Sequence, residues 1–211
     1  MSLQKFDHRS QKLLLTGTSG TGKTTLFEKL LRCEKARVKF IFDHQGEFAM
    51  RFDKAACYDA DELCDATERG GYVLFDPVKM FPGKTSDAFR FFCGFVFEVG
   101  KNLKGRKILA CDELQKLVDS DDATDEFLTI LDTGRRYQID VFCISQAPNR
   151  IHNAIRNQLT EVYTFRQSDA NAVKYLAENG FDADAVRGLK NGEYFHRNLD
   201  TGELTQGGNA F

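Results

Sequence analysis

Short apolar runs alternate with longer amphipathic stretches along this chain, the pattern of strands and helices taking turns in an α/β fold. Lys12–Thr16, Val38–Phe42, Tyr72–Phe75, Ile108–Cys111, Asp140–Ile144 and Glu161–Phe165 read as strands. Continuous rather than alternating hydrophobicity in most of them predicts a parallel sheet covered on both faces. Leu26, Phe27, Leu30 and Leu31 recur at helical spacing after the first strand, and a short helix is expected near Asp61–Glu68, ended by Gly70-Gly71. The stretch 86–100, started by Thr85, Ser86 and Asp87, carries Phe89, Phe91, Phe92, Phe95 and Phe97 and is apolar on nearly all sides. It is expected to lie in the core or against another subunit, and Arg90 and Glu98 argue against a membrane segment. A helix holding Phe127, Leu128, Ile130 and Leu131 follows an acidic loop, Ser120–Asp125. A short helix is expected within Asn149–Asn157, a helix capped by Ser168 runs to Glu178, and residues 182–189 add a turn or two. Glu193–His196 and Gly202–Thr205 predict a closing hairpin about the turn Asn198–Thr201.

The chemistry enters between the first strand and the first helix. Thr16-Gly17-Thr18-Ser19-Gly20-Thr21-Gly22-Lys23-Thr24-Thr25 satisfies the phosphate-loop pattern GxxxxGK[ST] in the strand-to-helix context that such a loop requires. Glycines 17, 20 and 22 let successive N–H groups converge on phosphate oxygens, and the helix start adds partial positive charge at the same point. Gly17, Thr18, Ser19, Gly20, Thr21, Gly22, Lys23, Thr24 and Thr25 are therefore candidate ATP-binding residues. Lys23 is expected on the β and γ phosphates, Thr24 on a magnesium ion and Thr25 on the α phosphate. Ile108–Cys111 ends in Asp112-Glu113, where Asp112 would hold the magnesium and Glu113 would orient and deprotonate the attacking water. Gln146, at the tip of the strand beside the loop, is read either as a sensor of the γ phosphate or as a turn amide bonding its own backbone.

Two other segments leave alternatives open. Asp43-His44-Gln45-Gly46-Glu47-Phe48 follows the second strand at the sheet edge where open α/β folds keep ligands, and is otherwise a polar loop. Lys79, Met80, Phe81 and Lys84 form a basic and apolar loop that fits a nucleic-acid backbone or an ordinary exposed connection.

Length and composition set bounds on these readings. With 211 residues, 42 % of them hydrophobic, the chain can bury one substantial core, and a single domain over 1–211 is expected. No apolar run approaches the roughly 20 residues of a membrane span, and Met1–Ser10 is too polar for a signal peptide, which points to a soluble intracellular protein. The six cysteines form no CxxC pair and read as small core residues in a reducing compartment. Net charge is −2, so no global basic field advertises nucleic acid, although a ring can confine positive charge to a few loops.

Together these motifs resemble the FtsK/HerA superfamily of ring-forming DNA-pumping ATPases. Besides the two nucleotide signatures, Asp43 and Glu47 match its D-x-x-G-E-[YF] segment. Thr133-Gly134-Arg135-Arg136-Tyr137 running into Ser145-Gln146-Ala147-Pro148 is similar to its G-R-[KR]-x-G-[IL] helix end and S-Q-x-P strand tip. The chain departs at Gln138, where glycine is frequent, and at Ala147, where arginine is usual. Leu189-Lys190-Asn191-Gly192-Glu193 resembles its L-x-x-G-E turn.

The resemblance implies a RecA-like (ASCE) P-loop NTPase with a mostly parallel central sheet, and an arginine, Arg135 or Arg136, acting on the ATP of a neighbouring subunit. The competing reading makes both arginines surface salt-bridge partners. The resemblance further implies ATP and Mg2+ as cofactors, double-stranded DNA as partner and a homo-oligomeric ring, expected to be a hexamer. Size and missing domains bring the chain nearest the packaging ATPases of tailless, membrane-containing double-stranded DNA phages. Cytoplasmic or virion-associated localisation and capsid or vertex partners would follow. A HerA-like helicase, a filamentous-phage-type export ATPase, a small-molecule kinase and a nucleotide-gated scaffold are the alternatives.

Overall fold

The computed structural model describes residues 10–118 and 124–208. Its nine strands form one sheet in the order β3-β4-β2-β5-β6-β1-β7-β8-β9. β1 (Lys12–Thr16), β2 (Val38–Phe42), β3 (Ala56–Cys57), β4 (Gly71–Phe75), β5 (Lys107–Cys111), β6 (Ile139–Ser145) and β7 (Glu161–Thr164) run parallel. The hairpin β8 (Tyr194–Asn198) and β9 (Leu204–Gly207) adds two antiparallel strands beside β7.

Side-chain alternation along each strand feeds two cores, one on each face of the sheet. Leu13 and Leu15 of β1 and Ile41 of β2 pack with Leu26, Phe27 and Leu31 of α1 (Lys23–Cys33) and with Phe48 and Phe52 of α2 (Glu47–Phe52). Leu14, Phe40 and Phe42 point the other way, toward α3 (Ala60–Arg69), α4 (Thr85–Asn102) and α6 (Asp125–Thr133). Every residue of β2, β5 and β6 is buried, which is why these strands are apolar in the sequence apart from Lys39, Lys107, Asp140 and Ser145.

In the phenylalanine-rich α4, Phe89 and Phe92 are fully buried against Phe42, with ring centroids at 5.3 and 5.8 Å, while Phe91, Phe95 and Phe97 are partly buried at the margin. The helix is thus a core element with an apolar outer margin. Among the described residues, no helix is long and apolar enough to cross a membrane.

Several boundaries differ from those read in the sequence. α2 and the two-residue β3 were not anticipated, and neither was α5 (Leu114–Leu117). The helix assigned to a Ser168 cap is α8 (Ala170–Glu178), capped instead by Asp169, whose carboxylate accepts from the Ala172 N–H at 2.8 Å. The Asn149–Asn157 helix is two pieces, a 3-10 turn over Pro148–Arg150 and α7 (Asn153–Arg156), and α9 spans Ala183–Gly188. The hairpin strands lie one or two residues later than expected. Most of the acidic loop Ser120–Asp125 lies outside the described residues. All six cysteines are free, and among the described residues no cluster of His, Cys, Asp or Glu could by itself hold a metal ion.

Candidate functional site

β1 lies between β6 and β7, and β6 separates it from β5, so the carboxyl ends of β5, β6 and β1 open side by side on one edge of the sheet. After Thr16 the backbone turns at Gly17, where φ is +149° and an added Cβ would stand 2.7 Å from the Phe165 Cβ. Only glycine fits a position that combines this angle with so close an approach. The loop is tied to the next strand by the Thr18 N–H, which donates to the Arg166 carbonyl at 2.9 Å, and closed on itself by the Thr21 hydroxyl, which donates to the Thr18 carbonyl at 2.8 Å. α1 begins at Lys23 with Gly22 before it in the left-handed region.

A cleft of about 370 Å³ forms here, lined by Ser19, Gly20, Gly22, Lys23, Thr24, Gln45, Glu47, Asp112, Glu113 and Gln146. It brings together the phosphate-loop lysine and threonine, both acids after β5 and the amide after β6. Gly17, Thr18, Thr21 and Thr25 belong to the loop and helix but not to the cleft wall. Arg135 and Arg136 are elsewhere. They lie in the 3-10 turn Gly134–Tyr137 that leads into the amino end of β6, exposed, with the length of the seven-residue strand, roughly 20 Å, between them and Gln146. Among the described residues neither forms an ion pair. Gln138, which follows them, has φ +57°, a left-handed angle that glycine meets without strain.

Burial sets the electrostatics of the cleft. Asp112 is pushed up to about 6, mainly by burial, with the charges of Glu113 and Glu47 adding to the shift and the Glu113 N–H and Lys23 opposing it. Burial lowers the Lys23 ammonium from its ordinary value against the pull of Asp112 and Glu113, and its Nζ donates to the Thr18 carbonyl at 2.7 Å. A lysine and two carboxylates thus share a partly dry space that favours a tightly bound, compensating ligand.

Glu113 sits at φ +52° and is gripped from three sides. Its carboxylate accepts from Gln45 Nε2 at 2.8 Å and Gln146 Nε2 at 3.2 Å, and pairs with Lys116. Gln146 therefore bonds a side chain across the cleft rather than its own backbone. Gln45, at the end of β2, was not singled out in the sequence, and neither was Gln167, buried beneath the loop at 1 % exposure. Their partners in and under the cleft lie 21 to 151 residues away, and no local pattern marks them.

The segment after β2 is structural as well as lining. Asp43 is buried and its carboxylate accepts from the Phe48 and Ala49 N–H groups at 3.1 and 2.7 Å, closing the start of α2. Glu47 reaches the cleft and pairs with Arg51 at 2.6 Å. Lys79 of the 78–84 loop places its Nζ 4.0 Å from the centroid of the Tyr58 ring.

The sequence profile of the type IV secretion-system coupling protein DNA-binding domain matches residues 4–65, a span that contains the phosphate loop and the segment after β2. No curated protein sequence matches the chain. Among solved structures, the chain superposes on B204, the DNA-packaging ATPase from Sulfolobus turreted icosahedral virus, with a TM-score of 0.72 at 16 % identity, covering 93 % of this chain and 96 % of that one. The likeness is one of fold, and the fold is that of the P-loop ATPases. The genome-packaging NTPase B204 of Sulfolobus turreted icosahedral virus 2, in complex with AMPPCP, gives 0.71 at 15 % identity over 93 % and 96 % of the two chains. VirB4 of Thermoanaerobacter pseudethanolicus gives 0.64 at 10 % identity over 97 % and 92 %. The P-loop α/β architecture expected from the sequence is therefore correct.

Proposed function

We propose that this protein is an ATP-driven translocase of double-stranded DNA, acting as a viral genome-packaging motor. The observation that carries the reading is the meeting of Lys23, Thr24, Asp112, Glu113 and Gln146 around one cleft, from three separate segments of the chain. The higher TM-score against B204, 0.72 compared with 0.64 for VirB4 and 0.60 for EccC of Thermomonospora curvata, supports packaging.

In this reading the backbone N–H groups of residues 19–24 and Lys23 hold the phosphates of ATP. The cleft offers hydroxyl and carboxylate oxygens, a donor set that suits magnesium, with Thr24 and Asp112 as its protein ligands. When bound, magnesium offsets charge on the β and γ phosphates. Glu113, aimed by Gln45 and Gln146, takes a proton from water as the water oxygen bonds to the γ phosphorus. The bond from that phosphorus to the β–γ bridging oxygen breaks, leaving ADP and phosphate.

Arg135 and Arg136 are too far from the cleft of their own chain to help, so one of them acts on the ATP of a neighbouring copy. That requirement makes the working unit a homo-oligomeric ring, with six subunits as the expectation and capsid or vertex proteins as docking partners. Phosphate release would then move loops that hold the DNA backbone.

The test is ATP hydrolysis with and without duplex DNA, coupled to displacement of a third strand from a triplex. DNA-stimulated hydrolysis with displacement is expected from the wild-type protein, and neither from Arg135→Ala/Arg136→Ala. Hydrolysis indifferent to DNA, with no displacement, would contradict the translocase reading.

A further inference from the structure

β1, which leads into the phosphate loop, ends at Thr16, paired with Ser145 of β6 on one side and Thr164 of β7 on the other. Beyond that point β1 turns away at Gly17, and the Gln146 carbonyl is left past the last rung of the ladder. The group that reaches it comes from the far side. Gln167, three residues after β7, sends its side chain across the tip of β1, where Nε2 donates to the Thr16 hydroxyl at 3.2 Å and to the Gln146 carbonyl at 2.9 Å. An amide nitrogen has two hydrogens, so one group satisfies both acceptors. The residue is 1 % exposed, and Thr16 and Ser145 are fully buried. The same segment holds the loop itself, since the Arg166 carbonyl accepts from the Thr18 N–H at 2.9 Å and the Thr18 hydroxyl at 3.1 Å.

We propose that Gln167 is a positioning residue for ATP hydrolysis: it fixes the backbone of Gln146, and through the Gln146 amide the direction of the Glu113 carboxylate. This rests on the hydrolytic reading of the cleft. Three strands contribute one group each to a connected line, Gln167 after β7, Gln146 after β6 and Glu113 after β5. Gln146 and Glu113 line the cleft, whereas Gln167 lies outside its wall and bonds Thr16 behind the loop. Loss of Gln167 should leave nucleotide binding intact and misdirect the base, because small displacements of a catalytic group cost far more in rate than in affinity.

The test is steady-state ATP hydrolysis and fluorescent-nucleotide binding for the wild type, Gln167→Met, Gln146→Ala and the double variant, each checked by thermal unfolding. Gln167→Met keeps length and volume and removes both donors. The expected result is a kcat lower by roughly ten- to a hundredfold, with KM and nucleotide affinity within about threefold of wild type. In the Gln146→Ala background the same change should cost less than about twofold, because the line is already cut. Should Gln167→Met lose its cooperative unfolding transition, Gln167→Asn, which keeps the amide but shortens its reach, is measured in its place with the same expectations. Additive losses in the double variant, or affinity falling in step with kcat, would overturn the proposal while leaving the hydrolytic reading intact. A wild-type protein that binds ATP and releases no phosphate would overturn both.

Discussion

At the amino ends of β5 and β6, Arg106 is enclosed by acceptors: it pairs with Asp140 at 2.5 Å and with Glu34, and donates to the Gln11 side chain at 2.5 Å. At the carboxyl ends of the same two strands, Asp112 and Glu113 face Lys23 across an open cleft, and Lys23 bonds a backbone carbonyl. Both ends carry buried charge on the same scaffold. One has closed it into ion pairs with protein partners and the other has kept it facing a space that a charged ligand can fill. The contrast separates charge that holds the fold together from charge that is held ready by it.

Removing one cation from each end is the sharpest way to break the comparison. Lys23→Ala should lower kcat/KM for ATP about a thousandfold, as expected for a donor aimed at transferring phosphate, while the unfolding temperature stays level or rises because a desolvated ammonium is gone. Arg106→Leu should do the reverse, costing about 3 kcal/mol of unfolding free energy through the buried Asp140 carboxylate. Its turnover per folded molecule should stay within about twofold of wild type. Denaturant titration alongside hydrolysis checks both. Equal effects of the two substitutions on turnover would erase the distinction.

Two titrations sharpen it further. Lys107, at the amino end of β5, is pushed down to about 8 by burial, with its Nζ donating to the Leu103 carbonyl at 2.7 Å. A lysine whose folded pKa lies below its unfolded value penalises the fold at lower pH. Stability should therefore rise by about 2 kcal/mol as pH climbs from about 8 to about 10.5, and Lys107→Met should flatten that rise. Urea midpoints measured across the range test it.

Asp112 carries the opposite sign at the other end. Its carboxyl is raised from 3.8 to about 6, so the penalty is absent below the unfolded value and complete above about 6. Asp112→Asn should stabilise the nucleotide-free protein above pH 6 by about 1 kcal/mol, and a calorimetric scan at pH 7.5 would show it. In the wild type, kcat/KM for ATP should fall as pH drops through about 6, where Asp112 of the nucleotide-free protein takes up its proton.

Much of the scaffold could be read from the chain because parallel strands buried on both faces are continuous apolar runs. Leu13–Leu15, Phe40–Phe42 and Val141–Ile144 announce themselves in this way. The phosphate loop and Asp112-Glu113 were legible for a different reason, since their chemistry needs fixed residue types at the end of such runs. What could not be read depends on distant partners or short elements. α2 is six residues long, too short for a helical period, and its start is fixed by the Asp43 carboxylate. Ser168 and Asp169 both suit a helix cap, and the choice between them lies in backbone geometry. Gln45 and Gln167 look like ordinary polar residues until the sheet places them over Glu113 and Gln146. Arg135 and Arg136 match a motif by residue type, yet the fold puts them at the amino end of β6, away from the cleft.

The central claim is that Glu113, held by Gln45 and Gln146 beside the phosphate loop, is the base that activates water against ATP. Single-turnover phosphate release from Glu113→Gln, measured with its ATP affinity, tests this most directly. The account predicts affinity close to wild type with release slowed by about a hundredfold or more. Release at the wild-type rate from a variant that binds ATP normally would contradict it.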